Sequence, residues 1–222
     1  MSRGPSLRRV GAIGDIHAED CFLQTALEFL STAQVDLIMA VGDVADGRGD
    51  VNRCCLLLQQ YGVATVSGNH ERWLLSDEAR DLPDATPLAA VSDEARAFLS
   101  TLPKLREYQT VAGPLLLCHG LGEYDMGGVW PGDYGYALDS NFALLRLTLE
   151  KKYRFVINGH THRRMVRRFD DLTIINAGTL FHEHEPSFLI ADFGTGIIQF
   201  YDLDDSGLIA EGERINLYDD GT

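Results

Sequence analysis

No stretch of this sequence approaches the roughly 20 consecutive apolar residues that a bilayer-spanning helix needs. The basic residues near Met1 are followed by no apolar segment before Gly11, so the chain is read as having no secretory leader. Cysteine is scarce and unpaired by spacing. Cys21, Cys54, Cys55 and Cys118 form no Cys-x-x-Cys motif, which argues against both a zinc knuckle and a disulfide framework. This usage suits a reducing cytoplasm. Cys118, inside the apolar run from Leu115, reads as a small buried hydrophobe. Positive charge is also in short supply, with 19 Lys and Arg against 33 Asp and Glu, a net charge of −14. Such a field repels nucleic acid and anionic membranes. No Lys/Arg-rich stripe offsets it, and Arg163, Arg164, Arg167 and Arg168 are read as decorating one strand's faces. Neither a long nucleic acid nor a membrane is therefore expected as a partner. Internal repeats, low-complexity segments and linkers are missing too, so residues 1–222 are read as one domain. With 45% apolar residues the chain is long and greasy enough to bury a sizeable core.

What is present alternates between two periods. Val10 to Ile13, Val35 to Val41 and Val63 to Val66 are short apolar runs that read as strands. Between them, Phe22, Leu23, Ala26, Leu27 and Leu30 predict a helix over about 19–33, and a second helix covers about 51–61 with Gly62 as its stop. Strands alternating with helices imply parallel βαβ units. Leu82 to Pro87 reads as a loop, and Ser92 as the N-cap of a helix over about 93–101 that Pro103 ends. Leu105 to Val111 and Pro114 to Cys118 read as a hairpin turning at Ala112-Gly113. Residues 120–135 hold six glycines with Trp130 and Tyr134, which reads as a long loop. Asp139 or Ser140 is expected to cap the next helix, and Arg154 to Ile157 to form a strand. Beyond His162 come five short strands: Met165 to Phe169, Leu172 to Ile175, Phe188 to Asp192, Ile197 to Asp202 and Leu208 to Ile215. A βαβ half followed by a β-rich half predicts two sheets packed face to face with helices outside.

Polar residues cluster where strands end. Ile13-Gly14-Asp15-Ile16-His17, Val41-Gly42-Asp43, Gly68-Asn69-His70-Glu71, Cys118-His119-Gly120 and Gly159-His160-Thr161-His162 each deliver an Asp, Asn or His, nearly always beside a glycine. The carboxyl ends of strands are where open α/β sheets bind ligands. Five of the seven histidines lie in these blocks. Asp15 with His17, and His160 with His162, are two residues apart, so extended backbone would aim each pair to one side. Carboxylate, amide and imidazole together suit borderline or hard divalent metals such as Mn, Fe and Zn. Asp15, His17, Asp43, Asn69, His119, His160 and His162 are too many donors for one structural zinc. They suit two ions bridged by one carboxylate, an arrangement that serves phosphoryl transfer.

In order and content these blocks resemble the calcineurin-like metallophosphoesterases: Asp15-x-His17, Gly42-Asp43-x-x-Asp46, Gly68-Asn69-His70-Glu71, His119-Gly120 and Gly159-His160-x-His162. Asn176-Ala177-Gly178-Thr179 resembles the Asn-Pro-Gly-Ser segment of the small phosphodiesterase branch, with alanine for proline. The resemblance implies a four-layer α/β/β/α sandwich of two mixed sheets. It implies one metal on Asp15, His17, Asp43 and His162, and a second on Asp43, Asn69, His119 and His160. The two divalent ions would be manganese first, with iron or zinc as alternatives. His70, paired with Asp46, would be the general acid in hydrolysis of a phosphomonoester or phosphodiester by metal-activated water.

The resemblance leaves the branch open. Gly68-Asn69-His70-Glu71 is similar to protein Ser/Thr phosphatases and dinucleoside tetraphosphatases, which usually carry a phosphate-binding arginine directly after the Asp46 position. Here Gly47 stands there and Arg48 follows. The expected partner is a small phosphorylated substrate or a phosphoprotein, with Arg48, Asn69, Trp130 and Tyr134 as substrate contacts. A nuclease and a non-catalytic scaffold of the same fold are the remaining alternatives. His182 and His184 lie in a charge-rich stretch that reads as a solvated turn, with reach to the substrate as the other reading.

Overall fold

Strand β1 (Arg9–Ile13) shows how the chain sorts its apolar residues, because neighbouring positions serve different cores. Val10 and Ala12 face one side and Ile13 the other. A computed structural model of the protein describes residues 6–76, 81–82 and 84–218. After β1 come α1 (Asp20–Thr32), β2 (Leu37–Ala40), α2 (Val51–Gln60) and the short β3 (Ala64–Thr65). Strands β1, β2 and β3 pair in parallel, as the helix-strand alternation predicts. Next are α3 (Asn69–Leu75), a single 3-10 turn at Leu88–Ala90, and α4 (Asp93–Thr101). Then follow the antiparallel pair β4 (Leu105–Thr110) and β5 (Gly113–Cys118), a short α5 (Tyr136–Asp139), and α6 (Phe142–Glu150). Six more strands complete the described chain: β6 (Phe155–Asn158), β7 (Met165–Phe169), β8 (Leu172–Asn176), β9 (Ser187–Asp192), β10 (Ile197–Leu203) and, at the sheet edge, β11 (Ile209–Asn216).

Two mixed sheets result, ordered β11-β10-β9-β1-β2-β3 and β4-β5-β6-β8-β7. Between them lies a core in which Val10, Ala12, Met39, Leu189 and Phe200 meet Leu115, Leu117, Phe155, Ile157 and Ile175. On the outer face of the first sheet, Ile13, Ala40, Phe188 and Ile190 pack with Leu23, Leu27 and Leu30 of α1, Leu58 of α2 and Leu99 of α4. On the outer face of the second, Leu116, Cys118, Val156 and Ile174 pack with Leu144 and Leu147 of α6. Alternate residues of one strand thus line different layers, which gives the four-layer α/β/β/α sandwich.

The structure departs from the sequence reading in a few places. Asn69-His70-Glu71 opens a helix, α3, instead of trailing from a strand. Its seven residues are too few to show an apolar period, and the buried Glu71 hides its start. Helix α6 is capped by Asn141, whose side chain accepts from Leu144 N at 3.1 Å, and Asp139 and Ser140 belong to the separate turn of α5. In the 82–87 stretch, Pro83 lies outside the described residues.

Phe188 tests the packing and Ser92 the capping. Phe188 is fully buried, stacked on Tyr201 at 5.3 Å and edge-on to Phe29 at 5.5 Å between centroids. Ser92 accepts from Ala95 N at 3.1 Å on the surface of α4. In urea unfolding, Phe188→Ala is expected to cost about 3–5 kcal/mol and Ser92→Ala only about 1 kcal/mol. Equal costs would contradict this assignment of the first core.

Candidate metal centre

The turn after β2 is built around a buried anion. The Glu71 carboxylate, with no exposure, accepts backbone N–H bonds from Asp43 at 2.9 Å, Val44 at 2.7 Å, Ala45 at 3.1 Å and Gly68 at 2.8 Å. Burial and the nearby Asp43 carboxylate push its pKa up, and the four backbone donors offset this by stabilising the ionised form. This clasp holds the β2 turn against the start of α3, with Asp43 in the left-handed region at φ 46. Gly68 permits the approach, because a Cβ there would stand 2.1 Å from Asp43 Oδ1.

His17, Asp46, His160 and His162 also have positive φ, from 47 to 67. The backbone at these histidines is therefore not extended: Asp15 and His17 still reach one donor group, but His160 and His162 do not. Tight left-handed turns aim these side chains, and such strain is held only where surrounding structure over-determines it. His160 and His162 in fact part company. Donor atoms of Asp15, His17, Asp43 and His162 form one group within 4.8 Å of one another, and those of Asp43, His119 and His160 form a second. Asn69 Oδ1 completes the second group, 2.9 Å from His119 Nε2 and 3.0 Å from His160 Nδ1. Asp43 Oδ2 looks toward both, 4.0 Å from His17 Nε2 and 3.2 Å from His119 Nε2. The sheets meet here: Asp15 N donates to the Gly178 carbonyl at 3.3 Å, and His160 N lies 3.0 Å from both Asp15 carboxylate oxygens.

The donor chemistry fits divalent cations. His17 Nδ1 lies 2.9 Å from the Asp46 carbonyl and His119 Nδ1 2.9 Å from the Val41 carbonyl. With its outer Nδ1 proton placed on a backbone carbonyl, each ring directs Nε2 inward, His17 toward His162 Nε2 at 2.9 Å and His119 toward the Asn69 carbonyl oxygen. Nitrogen and oxygen donors that converge in this way suit a shared cation, with which the protons of the pocket compete.

Electrostatics points the same way. Burial pushes His17 down to about 4 and His162 to about 3, and lowers His160. Burial raises Asp15 to about 7. Burial works against the charged forms of both Asp43 and His119, yet their mutual attraction outweighs it. The Asp43 carboxyl is held well below its ordinary range, and His119 is raised to about 10 with Asp15 and Glu71 assisting. The carboxylates that favour a proton on His119 would equally favour a divalent cation in its place.

His70 stands at the rim, its ring edge-on to His17 at 4.8 Å between centroids. Its Nδ1 lies 2.5 Å from Asp46 Oδ2 and its Nε2 3.8 Å from Asp43 Oδ2. Thr86 holds Asp46 reciprocally: Thr86 N donates to Asp46 Oδ1 at 2.8 Å, and Asp46 N to Thr86 Oγ1 at 3.0 Å. Arg48 turns away to Glu183 at 2.7 Å and Asp84 at 3.4 Å. Gly47 has no room for a side chain, because a Cβ would lie 1.8 Å from the His17 carbonyl oxygen. Trp130 and Tyr134 are 51% and 83% exposed, and among the described residues neither shows a hydrogen bond or ring contact with the ligand set. Their loop does border the site at Gly128, whose Cβ position is 3.8 Å from His160 Cδ2. An Arg72 to Asp125 ion pair at 2.7 Å clasps it to α3.

Sequence reasoning missed three contributors. Glu71 was visible in its motif, but three of its four donors come from a distant turn. Thr86 carries no signal at all. His184 is solvent-exposed, as the sequence reading expects, but its Nδ1 also lies 2.8 Å from His162 Nδ1, a contact with the site that the sequence does not specify.

Two expectations follow from the charge balance. Stability tied to Asp15 is complete below its ordinary 3.8 and lost as pH rises through about 7. That tied to His119 is complete below 6.5 and lost through about 10. His17 and His162 run oppositely, their contribution present above 6.5 and lost as pH falls through about 4 and about 3. Divalent ions displace the protons of Asp15 and His119, so Mn2+ affinity is expected to rise at least about tenfold from pH ~6 to pH ~8. Calorimetry in buffers of different ionisation enthalpy would count the released protons, and a flat affinity would refute the protonated metal-free pocket. Separately, Glu71→Gln places an amide NH2 against backbone N–H groups. It is expected to cost about 3 kcal/mol in metal-free unfolding and to weaken both ions together, since both depend on Asp43.

The fold has solved relatives. A metallophosphoesterase from Sphaerobacter thermophilus superposes with TM-score 0.66 over 90% of this chain and 89% of that chain, at 19% identity. A hypothetical protein from Pyrococcus horikoshii gives TM-score 0.72 over 89% of each chain at 14% identity. Serine/threonine-protein phosphatase 1 of Salmonella typhimurium is 36% identical over 75 residues, a match spanning 32% of this chain and 34% of that protein. The family model described as the calcineurin-like phosphoesterase superfamily domain matches residues 9–196. By that match over most of its length, the chain belongs to the calcineurin-like phosphoesterase superfamily.

Proposed function

We propose that the protein is a phosphoric ester hydrolase that works with two divalent ions, manganese first and iron or zinc as alternatives. Asp15, His17, Asp43 and His162 hold one ion; Asp43, Asn69, His119 and His160 hold the other. When bound, such a pair neutralises phosphoryl charge and supplies hydroxide at neutral pH. The observation that carries the reading is the His70 arrangement. Asp46 Oδ2, 2.5 Å from His70 Nδ1, fixes the ring while Nε2 faces the shared Asp43 at 3.8 Å. An imidazole so held at the rim can give a proton to a departing oxygen.

The substrate is proposed to be a small phosphomonoester or phosphodiester. Gly47 excludes an arginine at the position after Asp46, and Arg48 is taken up by Glu183 and Asp84, so a phosphate grip from this turn is missing. A second reading, action on a phosphoprotein, draws on the 36% identity to a serine/threonine-protein phosphatase over 75 residues. A cytoplasmic setting is proposed from the four free thiols, three of them buried. Metal-stripped protein resupplied with Mn2+ and offered a phosphomonoester, a phosphodiester, a dinucleoside polyphosphate and a phosphopeptide separates these readings.

His70→Asn is expected to retain both ions and lose most turnover. General acid catalysis matters most when the departing oxygen is basic, so the loss is expected to reach about 10²–10⁴-fold for an alkyl ester and to be small for a nitrophenyl ester. Asp46→Asn should follow the same pattern more weakly. Equal losses for good and poor leaving groups in metal-replete His70→Asn would leave His70 as a phosphate-binding group.

A further inference from the structure

A histidine that gives one bare nitrogen to a metal must place the proton of its other nitrogen on an acceptor, and that acceptor sets ring orientation and basicity. In His17 and His119 the acceptor is a backbone carbonyl, of Asp46 and Val41 respectively, each at 2.9 Å. The fold fixes both. His162 is different. Its Nε2 lies 2.9 Å from His17 Nε2, at the first donor group, and its outer nitrogen, Nδ1, lies 2.8 Å from a side chain, His184 Nδ1.

The turn that presents His184 is anchored to the same site. Leu180 N donates to the carbonyl of Asp15 at 2.8 Å, and His184 N closes the turn on the Phe181 carbonyl at 3.0 Å. His182 N donates to Glu19 Oε1 at 3.1 Å, and the His182 ring pairs with the same carboxylate. Phe181 wedges between the imidazoles, 5.4 Å from the centroids of both His17 and His184 and 6.3 Å from that of His162. These contacts fix the turn that places an imidazole nitrogen against the outer side of His162.

We propose that His184 is a positioning residue for the first metal: it accepts the Nδ1 proton of His162, keeps His162 Nε2 bare, and sets the affinity of that site alone. The inference rests on the assignment of Asp15, His17, Asp43 and His162 to an ion. It makes the two sites unequal in a checkable way, because among the described residues the hydrogen-bond partner recorded at His162 Nδ1 is the His184 side chain.

The test is calorimetric titration of Mn2+ into the metal-stripped full chain, comparing the parent protein with His184→Asn and His184→Phe. Asparagine places an amide oxygen where Nδ1 stood and preserves the acceptor. Phenylalanine keeps a ring against Phe181 and removes it. The parent is expected to bind two ions. His184→Asn should keep both affinities within about threefold, and His184→Phe should lose about tenfold at one site and leave the other unchanged, at the low end of outer-partner effects because His184 is exposed. The melting temperature of the metal-free variants should match the parent. No loss in His184→Phe, equal losses in both variants, or a loss shared by both sites would overturn the role of His184 while leaving the two-ion reading intact. A parent protein that binds no Mn2+ would overturn the two-ion reading and the role of His184 with it.

Discussion

The buried Glu71 carboxylate is the interaction on which the site depends. Burying an anion is costly unless nearly every lone pair is used. Here the charge is spread over four backbone N–H groups from two separate turns. The clasp cannot loosen at one donor without exposing the others to an unsatisfied charge. What it holds is the strained backbone at Asp43, and through it much else. Asp43 reaches both donor groups, Asp46 lies three residues on, and Asn69 and His70 start the helix that Glu71 anchors.

The same economy governs the imidazoles. Backbone carbonyls of Asp46 and Val41 orient His17 and His119. Asp46 therefore acts twice, with its carbonyl on a ligand and its carboxylate on His70. A change at Asp46 is felt by the rim and by the first donor group together. Each group combines deeply buried donors, Asp15 and His17 in one and His119 and Asn69 in the other, with one partly exposed histidine. The first leans outward on the turn from Phe181 to His184, so the two halves of the centre differ in how firmly the fold grips them.

The charge of the whole chain and of the centre are consistent with one another. A net −14 repels long polyanions, while the pocket gathers Asp15, Asp43 and Glu71 with little exposure. That concentration of negative charge attracts a proton to His119 when no metal is present, and gives divalent ions a reason to replace it. The local field at a loaded centre would be opposite to that of the surface around it.

Much was legible in the sequence, because strand-end glycines and their polar neighbours are local in the chain. The alternation of short apolar runs and helical periods announced the parallel half. The blocks carrying Asp15, His17, Asp43, Asn69, His119, His160 and His162 announced donors for two ions, and the resemblance supplied their division. Tertiary structure decided what depends on distance between turns. His160 and His162 serve different groups because left-handed backbone at both replaces the extended geometry that spacing suggested. Glu71 proved to be a clasp, Gly47 a place with no room for arginine, and His184 a neighbour of His162 across 22 residues. The reason is physical. Apolar periodicity and turn chemistry are set by neighbours along the chain, whereas strained turns and outer hydrogen bonds exist only once two sheets have brought remote strand ends to within 3 Å of each other.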